Sequence, residues 1–369
     1  MPLTPWQTEG KARFQVGSAF YNPASRTSRD LGVLAAAVQR AASDGLRLLD
    51  ATSGCGVRAL RYAWESEATW LWVNEANPEL HELLTSNLAP LLTEQRAQLT
   101  HQNARRLFAT CAADLDYYDF IDLDCFGSVA PFLAAALGTL KIGGLLYATS
   151  TDGRSATGHQ PTVSLQAYGA YARVHPAARE QALRLLLGAL QQQAAALGFG
   201  IQPGFSFWAG ATHRVLVRLQ PKPNLTPDNY GFLGYCQICG EYQTILWQKL
   251  GRTSCDCGQA LTHSGPLWLG ALHDRPLLTA MGDRARSWQW FSQAKLLDRM
   301  HAEAELPPYY FPLGEIGRRG KLDVPSRSQL LAALQASGFQ ATPTHCDAEA
   351  VKTDATLADC VAIARQIVS

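Results

Sequence analysis

The sequence predicts an α/β protein, with an open, mostly parallel, Rossmann-like sheet in its N-terminal part and a smaller α+β unit behind it. Three observations carry that expectation. Residues 46–220 alternate short apolar runs with helical patterns, as parallel strands joined by crossover helices do. A glycine-bearing loop, Gly54-Cys55-Gly56, follows the first of those runs and opens a helix. Past residue 220 the texture changes to a cysteine cluster followed by helices.

Taken in order, residues 1–45 give an extended lead containing Gly, Pro and Ser, then a helix from about Arg29 to Ala42. Strands are expected at Leu46–Asp50, Thr69–Asn74, Gln98–Gln102, Asp119–Leu123 and Gly144–Thr149, with helices at about Cys55–Trp64, Pro78–Leu88 and Val129–Leu140. Pro176–Leu197 is the clearest helix, with proline near its start and Gly198 just beyond its end. Two further apolar runs, Gly200–Phe207 and His213–Leu219, can close the sheet as an antiparallel hairpin. Prolines at 221, 223 and 227 break both periodicities, so the expected division is a domain over 1–220, a linker at 221–227 and a second domain over 228–369. Helices are expected there around Arg284–Glu305 and Ser326–Ser337, and no internal repeat is found.

A length of 369 residues fits two domains, and an apolar content of 47% can fill two cores. No 20-residue uncharged apolar span occurs, and no charged-then-apolar leader begins at Met1, so a cytoplasmic protein without a membrane anchor is expected. In a reducing compartment, closely spaced cysteines read as metal ligands before disulfides. The net charge of +1 divides into +2 for 1–223 and −1 for 224–369, so bulk charge offers no argument for nucleic acid. A basic footprint has to be local, at Arg105-Arg106 or Arg318-Arg319-Gly320-Lys321, and short clusters of this kind are commonly just solvated surface.

The loop Asp50-Ala-Thr-Ser-Gly54-Cys-Gly56-Val-Arg58-Ala59 lets backbone approach a ligand at a helix N-terminus. Nineteen residues after Gly56, Glu75 ends the second strand, where a carboxylate can take both ribose hydroxyls. That geometry serves NAD and S-adenosylmethionine equally well. Downstream residues separate them. Asn103-Ala104 after the third strand offers an amide for an adenine amino group and room for its ring. The fourth strand ends in Asp122-Leu-Asp124-Cys-Phe126-Gly127-Ser128. An aryl amine is a poor nucleophile because its lone pair is delocalised. A carboxylate accepting its N–H bonds aligns it and offsets charge developing during attack, and an aromatic ring clamps a flat base. A dehydrogenase has no use for this arrangement; a helix-capping Asp beside a core Phe is the structural alternative.

With these blocks the chain resembles the tRNA (guanine-26-N2)-dimethyltransferase family. The agreement covers Phe20-Tyr-Asn-Pro23 through Arg29-Asp30, Leu49 to Leu60, Asn74-Glu75-x-Asn77-Pro78 and Asp122 to Ser128. It continues through Gly144 to Asp152, Gly265 to Gly270, Thr344-His345 and Lys352-Thr353-Asp354. The resemblance implies a class I methyltransferase sheet of seven strands, the last antiparallel, with a zinc-containing α+β domain that helps hold tRNA. It implies methyl transfer from S-adenosyl-L-methionine to guanine N2 at position 26, giving N2-methyl- and N2,N2-dimethylguanosine, with tRNA as partner and no obligate protein partner. It places Arg29 and Arg58 at the cofactor's polar ends, Glu75 on the ribose, Asn103 and Ala104 at the adenine, and Asp124 and Phe126 on the target guanine, beside the Thr149–Asp152 loop. Two residues depart from the family pattern: Cys125 stands where proline is usual, and Asn103 where Asp is usual.

Cys236-Gln-Ile-Cys239-Gly240 and Cys255-Asp-Cys257-Gly258 offer four thiolates, with fifteen residues between Cys239 and Cys255. Two tight pairs across a loop suit a tetrahedral structural zinc with no open position for catalysis. The second pair is Cys-x-Cys where the family has Cys-x-x-Cys. Free thiols are the alternative there. Two rival functions are a non-catalytic zinc-bearing RNA-binding module and a nicotinamide oxidoreductase, and a DNA or protein amine is the rival substrate.

Overall fold

The computed structural model describes residues 5–368, so the Met1 end, read above for a leader, lies outside them. The seven sheet strands are β1 (Arg47–Asp50), β2 (Trp70–Asn74), β3 (Ala97–Thr100), β4 (Tyr118–Asp124), β5 (Leu140–Ser150), β6 (Gly200–Ala209) and β7 (Thr212–Gln220). They lie in the order β3-β2-β1-β4-β5-β7-β6, with β7 alone running opposite to the other six. The expected sheet is present, and the last two apolar runs do form its closing hairpin. β4 shows why the pattern was readable. Phe120, Ile121, Asp122 and Leu123 are all fully buried, because a central parallel strand is covered on both faces. The carboxyl ends of the parallel strands share one edge, and the order reverses between β1 and β4, which is where ligands bind in such sheets.

One face of the sheet carries α1 (Arg26–Ala41) and α2 (Val57–Trp64), whose Leu31, Leu34, Ala59 and Leu60 pack against Phe120, Leu145 and Tyr147. α3 (His81–Thr93) and α4 (Ala104–Ala113) follow β2 and β3. α5 is shorter than expected, Leu133–Gly138, and β5 starts earlier, at Leu140. On the other face lies α6 (Ala178–Ala196), with Leu183, Leu186, Leu187 and Leu190 fully buried.

The single helix expected over Arg284–Glu305 is two, α7 (Arg275–Ser287) and α8 (Phe291–Glu303). Asp274 caps α7, accepting the amide of Leu277 at 3.3 Å, and Pro276 occupies its first turn. Gln289, at φ +61°, breaks the run between Trp288 and Trp290, whose rings meet at 5.0 Å. Both helices pack on the α1 side.

Beyond Gln220 come two three-stranded antiparallel sheets. One orders Tyr242–Ile245, Tyr230–Tyr235 and Thr262–Trp268; the other orders Phe311–Pro312, Ala350–Thr353 and Ala341–Pro343. The hydrophobic core runs without a gap from Ile121, Leu146 and Leu186 to Tyr310, Leu330 and Val351. Buried polar groups cross the same seam. Lys352 donates to Glu180 of α6 at 2.6 Å, and Arg184 pairs with Glu180 at 2.8 Å while donating to the carbonyls of Trp268 and Gly270 at 3.1 and 2.8 Å. His345 pairs with Glu303 at the end of α8, and its ring stacks on Phe207 of β6. Gly265–Gly270, Thr344-His345 and Lys352 therefore join the two parts of the chain.

Candidate functional site

A cavity of about 460 Å³ opens at the carboxyl edge of the sheet, with Phe20, Arg29, Gly54, Arg58, Glu75, Asp124, Phe126 and Arg214 in its wall. Its first half is the glycine loop. Gly54 and Gly56 adopt φ of +57° and +80°, which side chains rarely adopt, and a Cβ on Gly54 would lie 3.3 Å from the carbonyl of Phe20. Gly56 is the residue before α2, and no side chain caps the helix start. Glu75 is fixed by two backbone donors, Gly54 N at 2.9 Å and Asn77 N at 3.0 Å, and stands in the cavity wall. A carboxylate anchored this way fits a diol, and the loop beside it fits the polar end of a nucleoside-bearing cofactor.

Asn103 and Ala104 are not brought to this cavity wall. The side-chain oxygen of Asn103 caps α4, accepting the amide of Arg105 at 2.9 Å, and Ala104 is buried in that helix. Asp50 is buried beneath the loop, facing Asp122 across β1 and β4; burial and that neighbour push its carboxyl up to about 8. Arg29 and Arg58 reach the wall but are ion-paired within the protein. Arg29 binds Glu9 at 2.5 Å and the Asn22 carbonyl at 3.2 Å. Burial alone would raise Glu9, but Arg29 and Arg61 outweigh it and hold its carboxyl down to about 2.

Arg58 holds the end of β4. It donates to Asp122 at 2.9 Å and to Asp124, and Tyr62 donates to the same Asp122 oxygen at 2.5 Å. The turn after Asp124 does not depend on proline at position 125. Thr52 Oγ1 accepts the amide of Asp124 and donates to its carbonyl, both at 3.0 Å. Gly127, at φ +76°, donates to Thr151 Oγ1 at 2.7 Å and accepts the Thr151 amide at 2.9 Å. This turn presents Phe126, 75% exposed, edge-to-face with Phe20, 63% exposed, at 5.0 Å between centroids. Exposed aromatic pairs beside a carboxylate suit a flat base. Phe20 and Arg214 were not singled out from sequence. Phe20 begins the Phe20-Tyr-Asn-Pro23 motif, and Arg214 interrupts an otherwise apolar strand; these are the marks that the sequence offers of them.

The second site is the cysteine cluster. The four sulfurs of Cys236, Cys239, Cys255 and Cys257 lie within 4.8 Å of one another, with Cys236···Cys257 at 3.6 Å and Cys239···Cys255 at 3.3 Å. A tetrahedron with zinc–sulfur bonds of about 2.3 Å has edges of roughly 3.8 Å, close to this spacing. Burial pushes the thiols of Cys239 and Cys255 up, whereas at Cys236 the backbone amides of Cys239 and Ile238 outweigh burial and hold the thiol down. Phe232, Ile245 and Leu261 form a small core around the cluster. The cluster can hold one metal ion and leaves no cysteine of the four spare.

Comparison with known proteins bears on the chain as a whole. Residues 7–365 match the family model described as N2,N2-dimethylguanosine tRNA methyltransferase. The tRNA (guanine(26)-N(2))-dimethyltransferase of Pyrococcus horikoshii is 29% identical over 94% of each chain. The protein of the same name from Pyrobaculum calidifontis is 30% identical over 97% of this chain and 98% of its own. Among solved structures, the complex of Trm1 from Pyrococcus horikoshii with S-adenosyl-L-methionine aligns with a TM-score of 0.84 at 27% identity, covering 97% of this chain and 99% of that one.

Proposed function

The chain belongs to the N2,N2-dimethylguanosine tRNA methyltransferase family, and from that premise we propose that it transfers methyl groups from S-adenosyl-L-methionine to the N2 of guanine 26 in tRNA, giving N2-methyl- and then N2,N2-dimethylguanosine. The observation that carries the reading is one cavity wall shared by the Gly54 loop, Glu75, Asp124 and Phe126.

Glu75 takes the ribose hydroxyls, and the Gly54–Gly56 loop with the first amides of α2 takes the amino-acid end. Bound S-adenosyl-L-methionine supplies an activated methyl on a sulfonium. The protein's share is positioning and charge. Asp124 accepts the N2–H of the target guanine, turns the amine toward the methyl and offsets the positive charge that develops on nitrogen. Arg58 acts through Asp124, fixing the orientation of its carboxylate. Phe126, with Phe20 beside it, stacks on the base once it has left the tRNA helix.

We assign a structural zinc to Cys236, Cys239, Cys255 and Cys257, in a part of the chain, 228–369, that helps hold tRNA while 1–220 carries the chemistry. The zinc takes no part in methyl transfer, since four thiolates fill its coordination. A cytoplasmic location fits: among the described residues no helix is long and apolar enough to cross a membrane. Mass spectrometry of nucleosides from unmodified tRNA, after incubation with protein and cofactor, tests the reading. N2-methylated guanosine is expected; its absence, with the cofactor bound, rejects it.

A further inference from the structure

Of the three arginines in the cavity wall, Arg29 and Arg58 are ion-paired. The Arg214 side chain has no ion pair or hydrogen bond among the described residues, and its Nε is buried without a partner. The residue is 3% exposed. Burial pushes its guanidinium below the ordinary range, only partly opposed by Tyr147 and Asp124. A buried cation that no acceptor hydrogen-bonds is costly, so a cavity that keeps one is built for a ligand that supplies the acceptor.

The sheet register says where that acceptor lies. Asp124 on β4 pairs with Thr149 on β5, and Thr149 pairs with Arg214 on β7. The three side chains stand in one row on one face, so the backbones of Asp124 and Arg214 are separated by two strand spacings, about 10 Å. Side chains of their lengths can converge from the two ends on an object as wide as a purine. Thr149 Oγ1, between them, is also buried without a hydrogen bond. The cofactor elements, Gly54 and Glu75, follow β1 and β2, on the opposite side of β4, so Arg214 belongs to the substrate half. A phosphate would stay near the mouth, which Phe20 and Phe126 mark by their exposure, whereas Arg214 is at the floor.

Resting on the guanine-N2 reading above, we propose that Arg214 reads O6 of the target guanine. The Watson–Crick edge of guanine presents donors at N2 and N1 and an acceptor at O6. Asp124 takes the donor end and the Arg214 guanidinium donates to O6, so the row across β4, β5 and β7 reads the whole edge. Adenine is rejected twice: it lacks the N2 amine, and its N6 amine turns a donor toward the guanidinium.

The test uses full-length protein and tRNA carrying guanine, 2-aminopurine or 2,6-diaminopurine at position 26; the two analogues keep the N2 amine but lack O6 and, with it, the N1 hydrogen. Single-turnover rates at saturating tRNA are compared for wild type and Arg214→Met, with calorimetry of S-adenosylhomocysteine binding on the same preparations. Wild type is expected to methylate guanine on the order of tenfold or more faster than either analogue, as for a site whose polar group is left unpaired by the analogue. Arg214→Met is expected to slow guanine several-fold and the analogues little, collapsing the ratio to what the N1 hydrogen on Asp124 contributes. Equal slowing of all three bases overturns the proposal. A loss of S-adenosylhomocysteine affinity with the base ratio intact also overturns it, assigning Arg214 to the cofactor. Wild type that binds S-adenosylhomocysteine yet forms no N2-methylguanosine rejects the function itself, a distinguishable result. Arg214→Lys, which keeps a donor but loses the fork, is the second variant if Arg214→Met does not fold; a smaller collapse of the ratio supports the proposal and an unchanged ratio overturns it.

Discussion

The amide of Gly54 donates to Oε2 of Glu75 at 2.9 Å, so the glycine loop after the first strand and the acidic end of the second are one unit. Glu75→Ala removes both the ribose acceptor and this anchor. Cofactor affinity is expected to fall by about 1.5–3 kcal/mol, the range for a lost charged hydrogen bond. Calorimetry with S-adenosylhomocysteine reads it directly; an unchanged affinity would place the cofactor elsewhere.

The sulfur spacing at Cys236, Cys239, Cys255 and Cys257 leads to about one zinc per chain in protein purified without chelators. Cys236→Ser or Cys239→Ser is expected to lower stability and tRNA binding more than cofactor binding, because the cluster has its own small core away from the cavity. Elemental analysis with paired binding assays checks this. Metal-free protein of full stability would remove the assignment.

His345 and Glu303 set a pH dependence. Burial opposes both charges. Even so, Cys346 and Glu303 raise His345 to about 10, and His345 with Lys352 holds Glu303 down to about 2. The Glu303 contribution is present above its ordinary value of 4.5 and is lost as pH falls through 2. That of His345 is full below 6.5 and is lost as pH rises through 10. The pair therefore stabilises most between about pH 4.5 and 6.5. His345→Gln is expected to cost about 3–5 kcal/mol there, as for a broken buried pair, with the deficit shrinking toward pH 10. Urea denaturation of both proteins at pH 6 and pH 10 measures it, and a deficit constant with pH would contradict the assigned charges.

The central sheet was legible because its strands are short apolar runs with helices between them. Asp124 and Phe126 were legible because a carboxylate and an aromatic at a strand end have a local chemical meaning. What stayed hidden depends on distant partners. Glu180 meets Lys352, and Glu303 meets His345, across a seam that no local pattern announces. The break at Gln289 was masked because Trp288 and Trp290 continue the apolar pattern of a single helix. Asn103, expected at a cofactor adenine, also caps α4, a role its place just before the helix equally suits. Arg214 draws its meaning only from the register that sets it beside Thr149 and Asp124.

The most direct test of the account is the single-turnover rate of Asp124→Asn on saturating tRNA, measured with S-adenosylhomocysteine calorimetry on the same preparation. The substitution keeps the shape of the turn that Thr52 and Thr151 hold, but removes the charge and turns one acceptor into a donor facing the guanine amine. Turnover is expected to fall by roughly 10²–10³, the usual loss for one preorganised electrostatic contact, with cofactor affinity retained. Near-normal turnover by Asp124→Asn would contradict the account.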